Sequence, residues 1–155
     1  LVQQNKGVTS VADKRKVAGA DVLLQIMDGE DKVTVAGQQG TTLNMNADTI
    51  DVTDKTSGGW KTYMPGLKEW SIDQDVFYTI GDESNKLLLN AYLNREPITV
   101  FVQVGKDDEA GRISFEGEAY ITEFPMDFAL DNAASISMSL SGASALEVVQ
   151  GDATP

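Results

Sequence analysis

Cysteine and histidine are both absent from the 155 residues of this chain. Without cysteine there are no disulfides and no thiolate nucleophiles, and the additional absence of histidine excludes the usual zinc sites. Histidine is also the side chain that most often acts as the base of a nucleophilic triad near neutral pH. The sequence therefore excludes Ser-His-Asp and Cys-His enzymes, and we expect no enzymatic activity, no cofactor and no metal.

Long hydrophobic runs and phosphate-binding motifs are missing as well. No apolar run approaches the roughly 20 residues of a membrane-spanning helix, so we expect no membrane partner. Neither GxxxxGK[ST] nor GxGxxG occurs, and the N-terminal residues lack the order of a secretory signal. These absences remove nucleotide-binding enzymes and membrane proteins from consideration.

Positive charge is scarce. The chain has 12 basic and 24 acidic residues, a net charge of −12 at pH 7. From Val76 onward there are 13 acidic and 4 basic residues, a net of −9. Such a field repels polyanions, which argues against tight binding to nucleic acid or to an anionic membrane surface.

Period-two alternation of apolar and polar residues fills most of the chain and predicts β-strands. It occurs in residues 22–26, 33–35, 42–46, 69–73, 98–104, 113–121 and 135–141. An acidic turn at residues 28–31 predicts a hairpin, and we expect an irregular stretch over residues 54–65. One segment has helical spacing instead, with Asp82 as its N-cap and Pro97 as its stop, which predicts a helix over about residues 83–95.

The predicted fold is mostly β, a β-sandwich or partly open barrel with one flanking α-helix. The length suits a single domain, which we divide into an N-terminal arm (1–18), a β domain (19–149) and a C-terminal tail (150–155). Such a fold must protect its sheet edges, and pairing edges between subunits is one way to do so.

Two acidic patterns are candidates for chemistry. Glu116 and Glu118 share one strand face roughly 7 Å apart, within the range of an inverting glycosidase pair. Any Glu-x-Glu on a strand gives this spacing, however, so we interpret the pair as a solvated polar face. Residues 28–31 and 107–109 offer oxygens for calcium but lack EF-hand spacing, and we interpret both as turns.

The two tryptophans receive different interpretations. Trp70 alternates with polar residues and is predicted to lie in the core, whereas Trp60 follows a Ser-Gly-Gly sequence in a loop. A large aromatic in such a loop indicates an interface anchor, with local packing as the alternative. The basic trio of residues 14–16 is interpreted as a solvated arm, or one docked on an acidic neighbour, rather than a nucleic-acid site.

Three ordered segments carry a resemblance to a known family. Residues 46–53 (NADTIDVT), 57–61 (SGGWK) and 65–73 (PGLKEWSID) resemble the signature of the phage major tail protein (tail tube protein) family, TP901-1 type. The resemblance implies a structural virion protein that closes into hexameric rings, stacked as a tube through which DNA is ejected. It implies assembly in the bacterial host cytoplasm, with the tape-measure protein and other tail proteins as partners and DNA passing without specific binding.

The same resemblance implies which residues meet other subunits, because a long loop and a terminal arm bridge the rings of such tubes and the lumen tends to be negative. The expected inter-ring or inter-subunit contacts are Lys14, Arg15, Lys16, Asp54, Lys55, Ser57, Gly58, Gly59, Trp60 and Tyr63. The expected lumen-lining residues are Glu116, Glu118, Ser137 and Ser139, with a plain outer solvent surface as the alternative for both strands.

A carbohydrate-binding or adhesin-type β-sandwich of a virion or cell surface is the alternative function. It requires a row of exposed aromatic rings on one sheet face. Aromatic residues make up only 7% of this chain and are scattered along it, which favours the structural subunit.

Overall fold

The structure, a computed structural model, describes residues 16–106 and 111–150, with Gln150 through its main chain only. It contains nine strands, one α-helix and short 3-10 helices at Gly19–Asp21 and Lys55–Ser57. The longer elements are β1 (Val22–Asp28), β2 (Asp31–Thr34), β3 (Gln38–Asp51), β4 (Tyr63–Phe77), α1 (Glu83–Asn94), β5 (Ile98–Val104), β6 (Ile113–Glu123), β7 (Met126–Asp127), β8 (Ser135–Gly142) and β9 (Glu147–Gln150).

All nine strands belong to one antiparallel sheet in the order β2-β1-β5-β6-β8-β4-β3. The two short strands β7 and β9 pair with β8 and β6. Strand β8 pairs with β6 only from Ala119 onward. Within the described residues β9 pairs with the preceding part of the same β6 edge, Ile113 to Glu116. The strands β8 and β9 therefore run in line, interrupted by residues 143–146.

The side chain of Gln38 brings β3 against β1 near the two ends of this strand order. Its Oε1 accepts a hydrogen bond from the Leu24 N–H at 2.9 Å. Its Nε2 donates to the carbonyls of Leu24 and Val35, both at 2.8 Å. The amide group thus replaces a strand partner, and the sheet forms a partly open barrel rather than two separate sheets.

The core lies inside the curl of this sheet and consists of apolar side chains from β1, β4, β5, β6, β8 and α1, together with Val35, which follows β2. Its largest fully buried members are Leu24, Ile26, Val35, Ile72, Val76, Leu88, Val100, Ile136, Met138 and Leu140. In β1, β4, β6 and β8 the buried parity is the one that the alternation predicts, because one side of a pleated strand faces the core. The prediction was wrong at Met45 of β3, which is 60% exposed, and β5 also buries Phe101 of the opposite parity, which is 5% exposed. Trp70 is 8% exposed, as predicted for a core residue.

Helix α1 packs on β6 and begins where the sequence predicts. The Asp82 carboxylate accepts from the Asn85 N–H at 3.1 Å and satisfies the first turn. Arg95 ends the helix in a left-handed conformation with φ of 56°. Leu88 and Ala91 are buried beneath the helix, and none of the described helices is long and apolar enough to cross a membrane.

The sequence predictions of fold class, of the hairpin at residues 28–31 and of the helix are confirmed. The irregular stretch predicted to reach Pro65 was wrong at its end, because β4 begins at Tyr63. Pro65 is accommodated since, among the described strands, the outer strand β3 is the only partner of β4 at that position. The residues Lys14 and Arg15, the acidic residues 107–109 and the C-terminal tail after Gln150 lie outside the described residues.

Candidate assembly surfaces

The hairpin of β3 and β4 extends well beyond the rest of the sheet. These strands pair from Gln38↔Val76 to Asp51↔Tyr63, whereas β8 pairs with β4 only between Ser71 and Phe77. Residues 46–69, which we call the distal hairpin, therefore form a two-stranded ribbon without further partners among the described residues. Isolated two-stranded ribbons are marginally stable in water, so this one is suited to receive support from another molecule.

Large apolar side chains are exposed along the distal hairpin. Ile50 and Met64 lie directly opposite each other and are each 52% exposed, and Leu67 on β4 is 83% exposed. Adjacent apolar side chains left in water cost free energy in proportion to their area. Exposed apolar side chains gathered on one element favour a contact with another protein, and this contact stays a prediction.

The tip of the hairpin is well ordered by local hydrogen bonds. The Asp54 carboxylate accepts from the Thr56 N–H at 2.8 Å, while the Asp54 N–H donates to the Ser57 hydroxyl at 3.1 Å. The hydrogen bonds from Thr56 lower the pKa of Asp54. Gly58 and Gly59 then turn the chain with φ of 65° and 84°, a conformation that suits glycine.

This ordered turn presents Trp60, which is 78% exposed although its main-chain N–H donates to the Ser57 carbonyl at 3.2 Å. Local packing, the alternative considered for this side chain, is not what the structure has. When the backbone of a loop is already ordered, less conformational entropy is lost as its exposed tryptophan docks on a partner. Trp60 is therefore suited to act as an anchor, and its interface role stays a prediction.

The predicted contact residues fall into separate places. Asp54, Lys55, Ser57, Gly58, Gly59 and Trp60 come together at the tip, with Tyr63 at the first position of β4. Lys16 is exposed and precedes the 3-10 helix Gly19–Asp21. The Gly105 N–H donates to the Asp21 carbonyl at 3.0 Å, which holds this helix beside the β5–β6 connection.

A polar face covers the non-core side of β3, β4 and β8. Ser137 and Ser139 lie opposite Asp75 and Asp73 of β4. The Ser139 hydroxyl donates to Asp73 at 3.0 Å, and the Asn44 amide donates to the same carboxylate at 3.1 Å. No lysine or arginine occurs in β3, β8 or residues 71–77. We call this surface the acid-hydroxyl face.

Glu116 and Glu118 lie on the same side of the sheet but in a different neighbourhood. Glu116 is half-buried between Phe101 of β5 and Glu147 of β9, and Glu118 is exposed opposite Thr99. The ammonium group of Lys32 lies 4.2 Å from the centre of the Phe101 ring, so a cation is close to this pair. Sequence reasoning missed Asp73 and Asp75, although their alternation with Ile72 and Val76 was a usable signal.

The described residues contain no cluster of metal-binding side chains, and the cavity beside the hairpin does not include the predicted glutamate pair. No group of three or more acidic side chains among them is arranged to hold a metal ion. A cavity of about 630 Å³ lies between the distal hairpin and residues 142–148. Its lining includes the apolar residues Met45, Trp70, Leu146 and Val148 and the polar residues Asn46, Lys68, Glu69 and Ser144. Neither Glu116 nor Glu118 lines it.

Comparison with known sequences decides the family. Residues 16–148 match the family described as phage tail tube protein. The chain belongs to that family. No curated protein matches the chain. The family indicates that this tail tube protein has a structural role, and its assignment to the TP901-1 type stays a prediction.

Solved structures share the fold of this tail tube protein. A chain in the virion of a native gene transfer agent particle is 24% identical, with a TM-score of 0.72 over 85% of this chain and 98% of that one. The tail of an empty gene transfer agent particle with C6 symmetry is 23% identical, with a TM-score of 0.73 over 85% of this chain and 98% of that one. The SPP1 tail tube is 19% identical, with a TM-score of 0.65 over 88% of this chain and 80% of that one.

Proposed function

We propose that this tail tube subunit closes into six-membered rings, that the rings stack into a hollow tube, and that the distal hairpin bridges one ring to the next. The observation that carries the proposal is the projecting ribbon, with its unpaired edges, its half-exposed Ile50 and Met64 and its bare Trp60. The sixfold symmetry of the gene transfer agent tail, which has the same fold, supports the ring order.

Within a ring, the exposed strand edges provide the means of closure. The outer edge of β3 and the edge of β4 over residues 63–70 carry unpaired main-chain donors and acceptors in the described part of the chain. Such edges pair readily with another chain. Continuing the sheet across subunit borders satisfies them and buries the apolar side chains of the distal hairpin.

The acid-hydroxyl face is suited to line the lumen. Lysine and arginine bind DNA by neutralising phosphates, and each such contact adds affinity. Ser137 and Ser139 together with Asp73 and Asp75 provide hydroxyl groups and negative charge without any cation, so a duplex passes without being held. Glu116 and Glu118 add negative charge along β6 beside this face, in a neighbourhood that also contains the ammonium group of Lys32. On this proposal the chain acts without catalysis or a cofactor. The tape-measure protein fills the lumen before DNA passes through it.

The location follows from the same proposal. A subunit of this kind is part of the tail of a virion and is assembled in the cytoplasm of the bacterial host. The alternative of a carbohydrate-binding or adhesin module finds less support, because the exposed aromatics are scattered rather than arranged in a row on one sheet face. Tyr63 and Phe77 lie at opposite ends of β4. The others among the described residues are Trp60, Tyr78, Tyr92, Tyr120 and Phe128.

Electron microscopy of the concentrated full-length chain tests the ring and the tube. We expect sixfold rings and stacked tubes from the wild type. The double variant Ile50→Ser/Met64→Ser should lose them, whereas Leu93→Ser, which removes a 65% exposed side chain from α1, should keep them. Rings of another order contradict the sixfold assignment, and tubes unaffected by the double variant contradict the role of the hairpin.

A further inference from the structure

A second apolar surface lies at the end of the molecule opposite the hairpin tip. Ile80 follows the end of β4 and is 90% exposed, while Phe128 and Leu130, in the connection from β7 to β8, are 70% and 100% exposed. The Tyr78 N–H donates to the Ala134 carbonyl at 2.8 Å, which holds the two connections side by side. We call residues 78–80 and 127–131 the far-end patch.

Strand β4 joins the two surfaces. It begins at Tyr63 beside the tip and ends at Phe77 beside the far-end patch. A strand of 15 residues spans about 46 Å at about 3.3 Å per residue. The tip and the far-end patch of one molecule are therefore too distant to contact each other, and each is free to meet another copy.

The two surfaces differ in charge, because lysines occur at the tip and not at the far-end patch. Residues 51–63 at the tip contain Lys55 and Lys61 together with Asp51 and Asp54, whose carboxylates already accept hydrogen bonds from Thr53 and Thr56. The far-end patch contains Asp127 and Asp131, and no basic residue occurs in residues 78–83 or 126–134. Lysines on one apolar surface and carboxylates on the other favour association of the two surfaces and fix its orientation.

From this complementarity we infer that the hairpin tip docks on the far-end patch of a second copy in the adjacent ring. Trp60 packs against Phe128 and Leu130, and the two tip lysines face Asp127 and Asp131. The contact is heterologous, since two different patches meet, and repetition of a heterologous contact along an axis gives an open filament. The inference rests on the proposed stacking of rings and names the surface that receives the hairpin.

Disulfide trapping tests this contact, because the native chain has no cysteine. Two full-length variants, Lys61→Cys and Asp131→Cys, are tagged differently, mixed under tube-forming conditions and oxidised. We expect the mixed disulfide, which joins one variant to the other, to exceed either homodimer at least about tenfold, the ratio that corresponds to ~1.4 kcal/mol of preference. The matched control replaces Asp131→Cys by Asn90→Cys, an exposed residue of α1.

The same samples separate the two proposals. Sixfold tubes in which Lys61→Cys crosslinks to Asn90→Cys or to itself as readily as to Asp131→Cys overturn the docking inference alone. A wild type that forms neither rings nor tubes overturns the proposed assembly, and the docking inference with it. Tubes that contain mainly the mixed disulfide support both.

Charge reversal gives an independent readout. The variants Lys55→Glu/Lys61→Glu and Asp127→Lys/Asp131→Lys should each raise the concentration needed for tubes by about tenfold or more, because several copies of the contact act together in each ring pair. The fourfold variant should restore assembly toward that of the wild type. If the fourfold variant is as poor as the two double variants combined, the pairing of these two surfaces is wrong.

Discussion

The indole N–H of Trp70 donates a hydrogen bond to the main-chain carbonyl of Ser144 at 2.8 Å. This bond ties β4, at the point where the distal hairpin leaves the sheet, to the interruption between β8 and β9. The ring of Trp70 also lies against Gly117 and Gly142, where a Cβ atom would collide with it. Trp70 therefore closes the core at the base of the hairpin and fixes the direction in which the hairpin projects.

Substitution of the glycines beneath Trp70 should destabilise the fold. In Gly117→Ala the added Cβ would lie 2.7 Å from the indole ring, and at Gly142 the overlap is closer still. Overpacking of this kind costs about 1–3 kcal/mol. Gly40→Ala is the matched control, because nothing lies within 4 Å of a Cβ there. Urea unfolding measures the free energy of unfolding of each variant. Equal stability of Gly117→Ala, Gly142→Ala and Gly40→Ala would contradict the packing role of Trp70.

The core and the elements could be predicted from the sequence because each depends on local periodicity. Leu24 and Ile26, or Ile136 and Met138, alternate with polar residues whatever their partners are. Strand register depends on residues far apart in the chain, so neither the pairing of Asp73 with Ser139 nor the replacement of a strand partner by Gln38 could be predicted. The length of the distal hairpin was also missed, because Pro65 and Gly66 have low strand propensity.

The amide of Gln38 makes three hydrogen bonds to the main chain at the barrel seam, and its removal should open that seam. The variant Gln38→Ala leaves the Leu24 N–H without its acceptor, and an unsatisfied buried group costs about 1–3 kcal/mol. The Leu24 carbonyl keeps the hydrogen bond that it accepts from the Val35 N–H at 3.1 Å. The exposed neighbour substitution Gln39→Ala should change the stability by less than about 0.5 kcal/mol. Amide exchange at Leu24, together with the free energy of unfolding, distinguishes the two. Unchanged protection at Leu24 would show that the seam does not depend on Gln38.

The N-cap of α1 should make stability depend on pH in acid. The hydrogen bond from the Ser84 hydroxyl lowers the pKa of Asp82 most, and the hydrogen bond from the Asn85 N–H lowers it further. Partial burial of the carboxylate opposes both effects but is outweighed. Because the folded chain binds this proton less tightly than the unfolded chain, the stabilisation is complete above pH ~3.9, the ordinary Asp value. It is lost as the pH falls through the lower pKa of the folded state.

Two substitutions at Asp82 separate the hydrogen bonds from the charge. Asp82→Ala should lower the free energy of unfolding by about 0.5–2 kcal/mol at neutral pH, the usual cost of losing an N-cap. Asp82→Asn keeps a capping oxygen but cannot titrate, so the stability difference from the wild type should shrink on acidification. A difference that stays constant from neutral pH to below pH ~3.9 would exclude a lowered pKa for Asp82.

Reversing one charge on the acid-hydroxyl face should make assembled tubes retain DNA. Asp75 is exposed on β4 opposite Ser137, so Asp75→Lys should leave the fold intact. In a ring of six subunits the change shifts the charge around the lumen by about twelve positive units, and each phosphate contact by lysine contributes affinity that falls with salt. We expect duplex DNA present during assembly to remain in the tubes at low salt, protected from nuclease, and to leave at high salt.

The control is Glu96→Lys, which makes the same change from an acidic to a basic side chain next to α1. Glu96 is exposed just beyond that helix, and its side chain has no partner among the contacts of the described residues. On tubes of Glu96→Lys, any bound DNA should stay accessible to nuclease, because this surface lies outside the proposed lumen. If DNA on Asp75→Lys tubes is digested just as fast, the acid-hydroxyl face is outer surface and the lumen must be formed by another side of the sheet.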